Sequence, residues 1–237
     1  MAEGFPIVYV DPPWEYNQRS VHTESKFGGG ASGEYNLELP EGMASWAPQF
    51  HAMRPRSGVM LMWVTGPFSE AAPALMRAWG YTPIKPILYW AKTTPSGGIF
   101  CGPGYYTMSN VEYILMGQAN KGRTYAPVNR KAVGGDGIGI ADVHLEPHPR
   151  DERGKIIHSK KPGLFRDLAV RLFGDVPRVE VFAREQFAGW HAIGDQLPGG
   201  EPLEAGRIIR PLPPPQFDIA HRRVGDTEQR GLWGTYG

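Results

Sequence analysis

Apolar positions along the chain alternate between short continuous runs and helical stripes. Ile7-Val8-Tyr9-Val10 is β-branched and aromatic and stops at Asp11-Pro12-Pro13, which predicts a buried strand ended by two prolines. The run at 59–64 predicts a strand covered on both faces, broken by Thr65-Gly66-Pro67. Phe68, Ala71, Ala72, Leu75, Met76 and Trp79 then recur at helical spacing, and Gly80 closes that helix. Residues 87–90 predict a further strand, so strand, helix and strand follow in order, as in a right-handed βαβ unit of a parallel sheet. Strands are also expected at 111–116, 179–182 and 190–193. Leu164, Phe165, Leu168, Ala169 and Leu172 give a second helical stripe, with Pro162 near its first turn.

Between these elements the pattern fades. Residues 16–49 contain Gly28-Gly29-Gly30-Ala31-Ser32-Gly33 and read as a long mobile loop with a short helix near its end. Residues 93–106 and 121–155 are loop-like, rich in glycine, proline and charge. After Leu197 the composition shifts to Pro198-Gly199-Gly200 and the prolines of 211–215. The expected organisation is one domain over 1–197, then a proline-rich linker and irregular tail over 198–237.

Composition narrows the partners. Lys and Arg number 25 against 24 Asp and Glu, a net charge of +1, so no global basic field advertises nucleic acid, and any such partner must be held by local cations. The single cysteine, Cys101, excludes an internal disulfide and a cysteine-rich zinc site, in keeping with a reducing cytoplasm. No apolar stretch approaches the roughly 20 residues that span a bilayer, and no leader pattern opens the chain. A soluble cytoplasmic protein without a membrane partner is expected.

The tetrapeptide Asp11-Pro12-Pro13-Trp14 carries the chemistry. It directly follows a strand, and ligands of open α/β sheets bind at the carboxyl ends of strands. Two prolines fix φ and remove two N–H donors while their carbonyls remain acceptors. The segment is thus a rigid set of acceptors, the Asp11 carboxylate and the Pro12 carbonyl, beside an indole. An aromatic amine such as that of adenine needs this arrangement, because its lone pair is delocalised into the ring. Two acceptors on its two hydrogens favour a pyramidal nitrogen and stabilise the positive charge that develops. Trp14 could stack on the base, worth roughly 1–3 kcal/mol. No strong base is required, and approach to a sulfonium methyl is mainly a matter of positioning.

The ordered set of motifs over residues 7–197 resembles the MT-A70 family of adenine N(6)-methyltransferases, in its short bacterial and phage form. The resemblance rests on Val10-Asp11-Pro12-Pro13-Trp14; on Leu61-Met62-Trp63-Val64-Thr65; and on Ala78-Trp79-Gly80-Tyr81 followed by Tyr89-Trp90-Ala91-Lys92-Thr93. It continues through Gly104-Tyr105-Tyr106 with Asn110 and Glu112, then His158-Ser159-Lys160-Lys161-Pro162. Val179-Glu180-Val181-Phe182-Ala183-Arg184, Gly189-Trp190 and Gly194-Asp195-Gln196-Leu197 complete it.

The resemblance implies a Rossmann-like methyltransferase fold: α/β, a doubly wound, mostly parallel sheet with helices on both faces, and the catalytic motif ahead of the cofactor segments. It implies S-adenosyl-L-methionine as cofactor. Asp11, Pro12, Pro13 and Trp14 would hold the target adenine, with Asp11 also touching the cofactor. Lys161, just before a helix, would pair with the methionine carboxylate, aided by the helix N-terminus. Arg184 would reach the ribose, and Asp195 and Gln196 the ribose and adenine of the cofactor. Asp195 stands where the family more often has Asn; a carboxylate accepts from both ribose hydroxyls. Glu180 would support the site from its strand.

Other features are weaker. Gly102-Pro103-Gly104 and the glycines of 134–139 neither follow a strand nor open a helix, as a phosphate loop requires. His144 and His148 are flanked by Pro147 and Pro149, which argues against a helix presenting both to a metal, so no metal is expected and both read as loop histidines. Trp63, Trp79 and Trp90 read as core or pocket wall. Phosphate contacts are expected from loop cations, chiefly Arg19, Lys26, Arg123, Arg130 and Lys131, with Lys121, Arg150 and Arg153 beside them. DNA is the leading substrate, by analogy with compact bacterial enzymes; a duplex would require base flipping. RNA is the close alternative. A non-catalytic nucleic-acid-binding subunit is a second reading, disfavoured because Asp11 and Trp14 are both intact. Methylation of a free base or nucleotide is a third.

Overall fold

The computed structural model describes residues 4–14, 40–102, 106–119 and 139–197. Within them, strands β1 (Ile7–Val10), β2 (Val59–Thr65), β3 (Thr82–Thr93), β4 (Val111–Gln118), β5 (Val143–Pro147), β6 (Arg178–Val181) and β7 (His191–Ile193) form one sheet in the order β5-β3-β4-β2-β1-β6-β7. β1 lies between β2 and β6, parallel to both, and β7 extends the parallel half beyond β6. The helices are α1 (Pro40–Ala44), α2 (Ala47–Met53), α3 (Ala71–Ala78) and α4 (Leu164–Phe173).

Strand alternation explains the two cores. Val8, Val10, Met60, Met62 and Val64 face one way and meet Ala72, Leu75 and Met76 of α3 and Phe50 and Met53 of α2. Ile7, Tyr9, Leu61 and Trp63 face the other way and meet Phe165, Leu168 and Ala169 of α4. Helices therefore cover both faces of a mostly parallel sheet, the doubly wound arrangement.

The βαβ expectation needs one correction. β2 and β3 do run in the same direction with α3 between them in sequence. They are not neighbours, because β4 lies between them, antiparallel to each. Hydrogen-bonded pairing over the whole of β2, from Val59↔Gln118 to Thr65↔Glu112, gives β4 its place. Three further differences are local. The helical stripe from Phe68 is divided: Gly66–Phe68 is a 3₁₀ turn and α3 begins at Ala71. β3 extends well before 87 and accommodates Pro83 and Pro86 with register shifts next to each. β5 pairs only with Tyr89–Thr93, so that earlier half of β3 has no β5 partner demanding its N–H groups. β5 itself falls within the stretch read as loop, which places His144 on a strand. The short helix expected near the end of 16–49 is present as α1 and α2. Residues 15–39, 120–138 and the linker and tail at 198–237 lie outside the described residues.

Candidate active site

Asp11 follows β1 and continues its alternation: Ile7 and Tyr9 face α4, and so does Asp11. Trp14 joins the opposite core, stacked on Phe68 with ring centroids 4.7 Å apart and planes 14° apart. Its Nε1 donates to the Trp63 carbonyl at 3.2 Å. The two prolines therefore carry the chain across the end of the sheet, delivering the acid to one face and the indole to the other. The Trp14 N–H donates to the Pro12 carbonyl at 2.8 Å, which uses one lone pair of that oxygen and leaves one. Trp14 is only 4% exposed. The indole is a fixed wall, and the base-stacking expected of it is limited to whatever ring surface Phe68 leaves.

Lys161, from the segment entering α4, reaches back to this end of β1. Its Nζ lies 2.9 Å from Asp11 Oδ2 and 3.5 Å from Glu112 Oε2, above the Trp63 ring at 5.5 Å. Glu112 Oε1 in turn receives Lys92 Nζ at 2.6 Å. Ser159, held at φ 60, turns its carbonyl onto Lys161 Nζ at 3.1 Å. Such left-handed backbone at a non-glycine residue costs about 1–3 kcal/mol. Phe182 shares it at φ 63, and both line the same cleft.

The charges respond to these surroundings. Burial pushes the Asp11 carboxyl above the ordinary aspartate range, against the pull of Lys161. Asp11 nevertheless keeps 20% of its side-chain surface open. Burial works in the same direction on Glu112, but Lys161 and Lys92 outweigh it and hold that carboxyl below the ordinary glutamate range. Burial lowers His148 to about 4, so its imidazole is neutral at physiological pH. That ring meets Trp90 and Phe100 edge-on, at 5.0 and 4.8 Å.

The cleft beside Asp11 is lined by Asp11, Ser159, Lys161, Phe182 and Arg184 among others. Arg184 donates through Nε to Gln196 Oε1 at 2.7 Å and through Nη1 to the His158 carbonyl at 2.7 Å. Glu180 and Arg166, also lining it, form a two-point pair, with Nε donating to Oε2 at 2.7 Å. Burial raises the Glu180 carboxyl and Arg166 opposes that rise.

Gly194 seats the last element. A Cβ there would strike the backbone oxygen and nitrogen of Ala183, so only glycine lets β7 approach closely enough to set Gln196 against Arg184.

The structure thus brings Asp11, Lys161 and Arg184 to one cleft, with Gln196 hydrogen-bonded to Arg184. Asp195 sits exposed in the turn beside Gln196. Arg19, Lys26, Lys121, Arg123, Arg130 and Lys131 lie outside the described residues. Arg150 and Arg153 belong to a short exposed turn after β5, where Arg150 Nη1 donates to the Gly154 carbonyl. Sequence reading gave no role to Lys92, Glu112, Arg166 or His148. The available signal was charge on strands: Glu112 and Lys92 each stand inside segments otherwise apolar on that face.

A cofactor of the expected kind can be tested against these side chains. An amino acid group needs an acid for its ammonium and a cation for its carboxylate, and Asp11 and Lys161 supply both. Ribose hydroxyls and a purine need polar partners, and Arg184 and Gln196, hydrogen-bonded to each other, can supply them, with Asp195 next to Gln196 in sequence. The donor set fits.

The family described as MT-A70 matches residues 5–196. Among individual proteins, the chain is 27% identical to the type II methyltransferase M.MunI of Mycoplasma sp over 207 residues, covering 82% of this chain and 78% of that protein. It is 27% identical to the N(6)-adenosine-methyltransferase MT-A70-like of Arabidopsis thaliana, over 87% of this chain and 26% of that protein. With the corresponding Drosophila melanogaster protein the identity is 25%, over 82% of this chain and 27% of that one. The chain therefore spans most of the bacterial relative but about a quarter of the eukaryotic ones. A match over residues 5–196, with the motif residues gathered at one end of a doubly wound sheet, makes this chain a member of the MT-A70 family.

Proposed function

We propose that this protein transfers a methyl group from S-adenosyl-L-methionine to the exocyclic N(6) amine of adenine in nucleic acid, with DNA as the leading substrate. The observation that carries the reading is the meeting of Asp11, still partly open, with Lys161 and the Arg184–Gln196 pair around one cleft. Family membership and the names of the relatives support adenine as the acceptor. DNA is placed first by analogy with compact bacterial enzymes, and the type II methyltransferase of Mycoplasma sp is matched over 78% of its length.

Asp11 accepts from the target amine, and the remaining lone pair of Pro12 accepts its second hydrogen. Both acceptors are fixed before substrate arrives: the prolines fix the backbone, and Trp14 is locked by Phe68 and the Trp63 carbonyl. Preorganised acceptors stabilise the positive charge that grows on the amine without rearranging as it does so. When bound, S-adenosyl-L-methionine supplies the activated methyl; Lys161 would hold its carboxylate, Asp11 its ammonium, and Arg184, Asp195 and Gln196 its nucleoside end.

The test is methyl transfer from isotopically labelled S-adenosyl-L-methionine to DNA and RNA oligonucleotides with and without adenine, followed by nucleoside analysis. Label in N(6)-methyladenine from DNA is expected. Transfer to RNA alone would reassign the substrate. Binding of oligonucleotide without cofactor binding or transfer would leave the non-catalytic subunit as the better reading.

A further inference from the structure

Four charges of alternating sign run in line at the carboxyl end of the sheet: Lys92 on β3, Glu112 on β4, Lys161 before α4 and Asp11 after β1. The links are 2.6, 3.5 and 2.9 Å. The side chains of Lys92 and Glu112 are each 12% exposed, that of Lys161 7%. Two cations and two anions balance, which is what allows so many charges to be buried together.

The balance is disturbed whenever the site works. If Asp11 accepts from a neutral amine, it can no longer serve Lys161 alone, and Lys161 needs a second anion to stay in place. Glu112 is that anion, and it is itself held by Lys92. Oε2 of Glu112 is buried without a close hydrogen-bond partner among the described residues, and Lys161 Nζ stands 3.5 Å from it. The Lys92 ammonium also lies over the Trp90 ring at 5.1 Å, so it is held from below as well as from the side.

We propose that Lys92 is a positioning residue of the transfer site: through Glu112 it anchors Lys161 and keeps the cluster neutral, so that Asp11 stays ionised and available to the target amine. The inference rests on the transfer reading above for its consequence in activity, but its electrostatic part is a property of the chain alone. The titratable groups around Asp11 are Lys161, Glu112, Glu180 and Arg184, and those around Glu112 are Lys92, Lys161, Asp11 and the neutral His148. Removing the Lys92 charge leaves a surplus anion among them. Burial already favours the protonated form of Asp11, and a surplus anion favours it further.

The experiment compares K92M and K92R with the parent chain, first by thermal melting to select conditions where all are folded. Steady-state transfer to an adenine oligonucleotide is then measured across pH. For K92M, at least a tenfold fall in kcat/KM at neutral pH is expected, with the acid limb of the profile displaced upward. K92R should stay within about fivefold of the parent with the limb unmoved. In parallel, the Asp11 and Glu112 carboxyl carbons are titrated by NMR in the ligand-free, isotope-labelled full chain, with D11N and E112Q spectra for assignment. Both carboxyls should titrate at higher pH in K92M than in the parent. An unchanged carboxyl titration in folded K92M overturns the inference, as does equal impairment of K92M and K92R. If the parent transfers no methyl group to adenine, the function reading fails, while the titration still decides the role of Lys92.

Discussion

At the scale of single residues, Asp11 and Glu112 are two buried carboxylates driven in opposite directions by what surrounds them. Asp11 has one cation at contact and more burial than that cation offsets; Glu112 has Lys161 and Lys92, which together prevail. Asp11→Asn keeps the shape but halves the acceptor character of the group. It should lower kcat for methyl transfer by about 100- to 1000-fold, the usual loss on removing one preorganised electrostatic contact. Cofactor affinity, followed by calorimetry, should fall as well, through the weakened ammonium contact, but less than in Lys161→Ala. Full activity in that variant would remove the proposed role of the tetrapeptide. Lys161→Ala should instead weaken cofactor binding most. Glu112→Gln makes a separate statement about stability. Because its carboxyl lies lower in the folded chain than in the unfolded one, Glu112 stabilises the fold above its unfolded value of about 4.3. That contribution is lost as the pH falls through the lower, folded value. The variant should lose about 3 kcal/mol at neutral pH, as expected when one partner of a buried pair is removed. The gap to the parent in denaturant melts should close progressively below about pH 4.

At the scale of elements, what decides the site is how strand ends meet. β1, β2 and β3 stop at this end of the sheet while antiparallel β4 begins there, which is why Glu112, only the second residue of β4, sits opposite Thr65 at the end of β2. Strand and helix cores were legible because their periodicities are local: 7–10, 59–64 and the α4 stripe reappear with nearly the same limits. β5 was not legible. Val143 and Leu145 are 48% and 60% exposed, and the strand pairs on one side only, so its sequence carries polar and proline signals that mimic a loop. Neither was the pairing of Lys92 with Glu112 legible, since it depends on β4 lying beside β3, a choice made by long-range pairing. Gly194 gives this level its own test. Gly194→Ala would push β7 away from Ala183 and separate Gln196 from Arg184. Cofactor affinity should fall at least tenfold, while the α3-side core, monitored by near-ultraviolet dichroism of Trp79, remains intact. A variant that binds cofactor normally would show that the Arg184–Gln196 contact is dispensable.

At the scale of the whole molecule, a nearly neutral protein has to engage a polyanion, and this shapes how its affinity depends on salt. With 25 basic and 24 acidic residues, attraction to phosphate has to come from cations concentrated near the site. The sequence offers Arg123, Arg130 and Lys131 close together in sequence between β4 and β5. If these three meet phosphates, each neutralised phosphate contributes about −0.9 to the slope of log affinity against log salt for duplex DNA. Reversing all three to glutamate should therefore flatten the slope by roughly 2–3, with cofactor binding unaltered because Lys161, Arg184 and Gln196 are untouched. Transfer to the oligonucleotide should fall at moderate salt through KM, and kcat at saturation should hold, since the amine-gripping turn is unchanged. The same measurement discriminates among substrates. A free nucleoside carries no phosphate, so its KM should be indifferent both to salt and to the charge reversal. If polymer and nucleoside were methylated with the same salt-independent efficiency, the loop cations would have no part in substrate capture, and the acceptor would be the base alone.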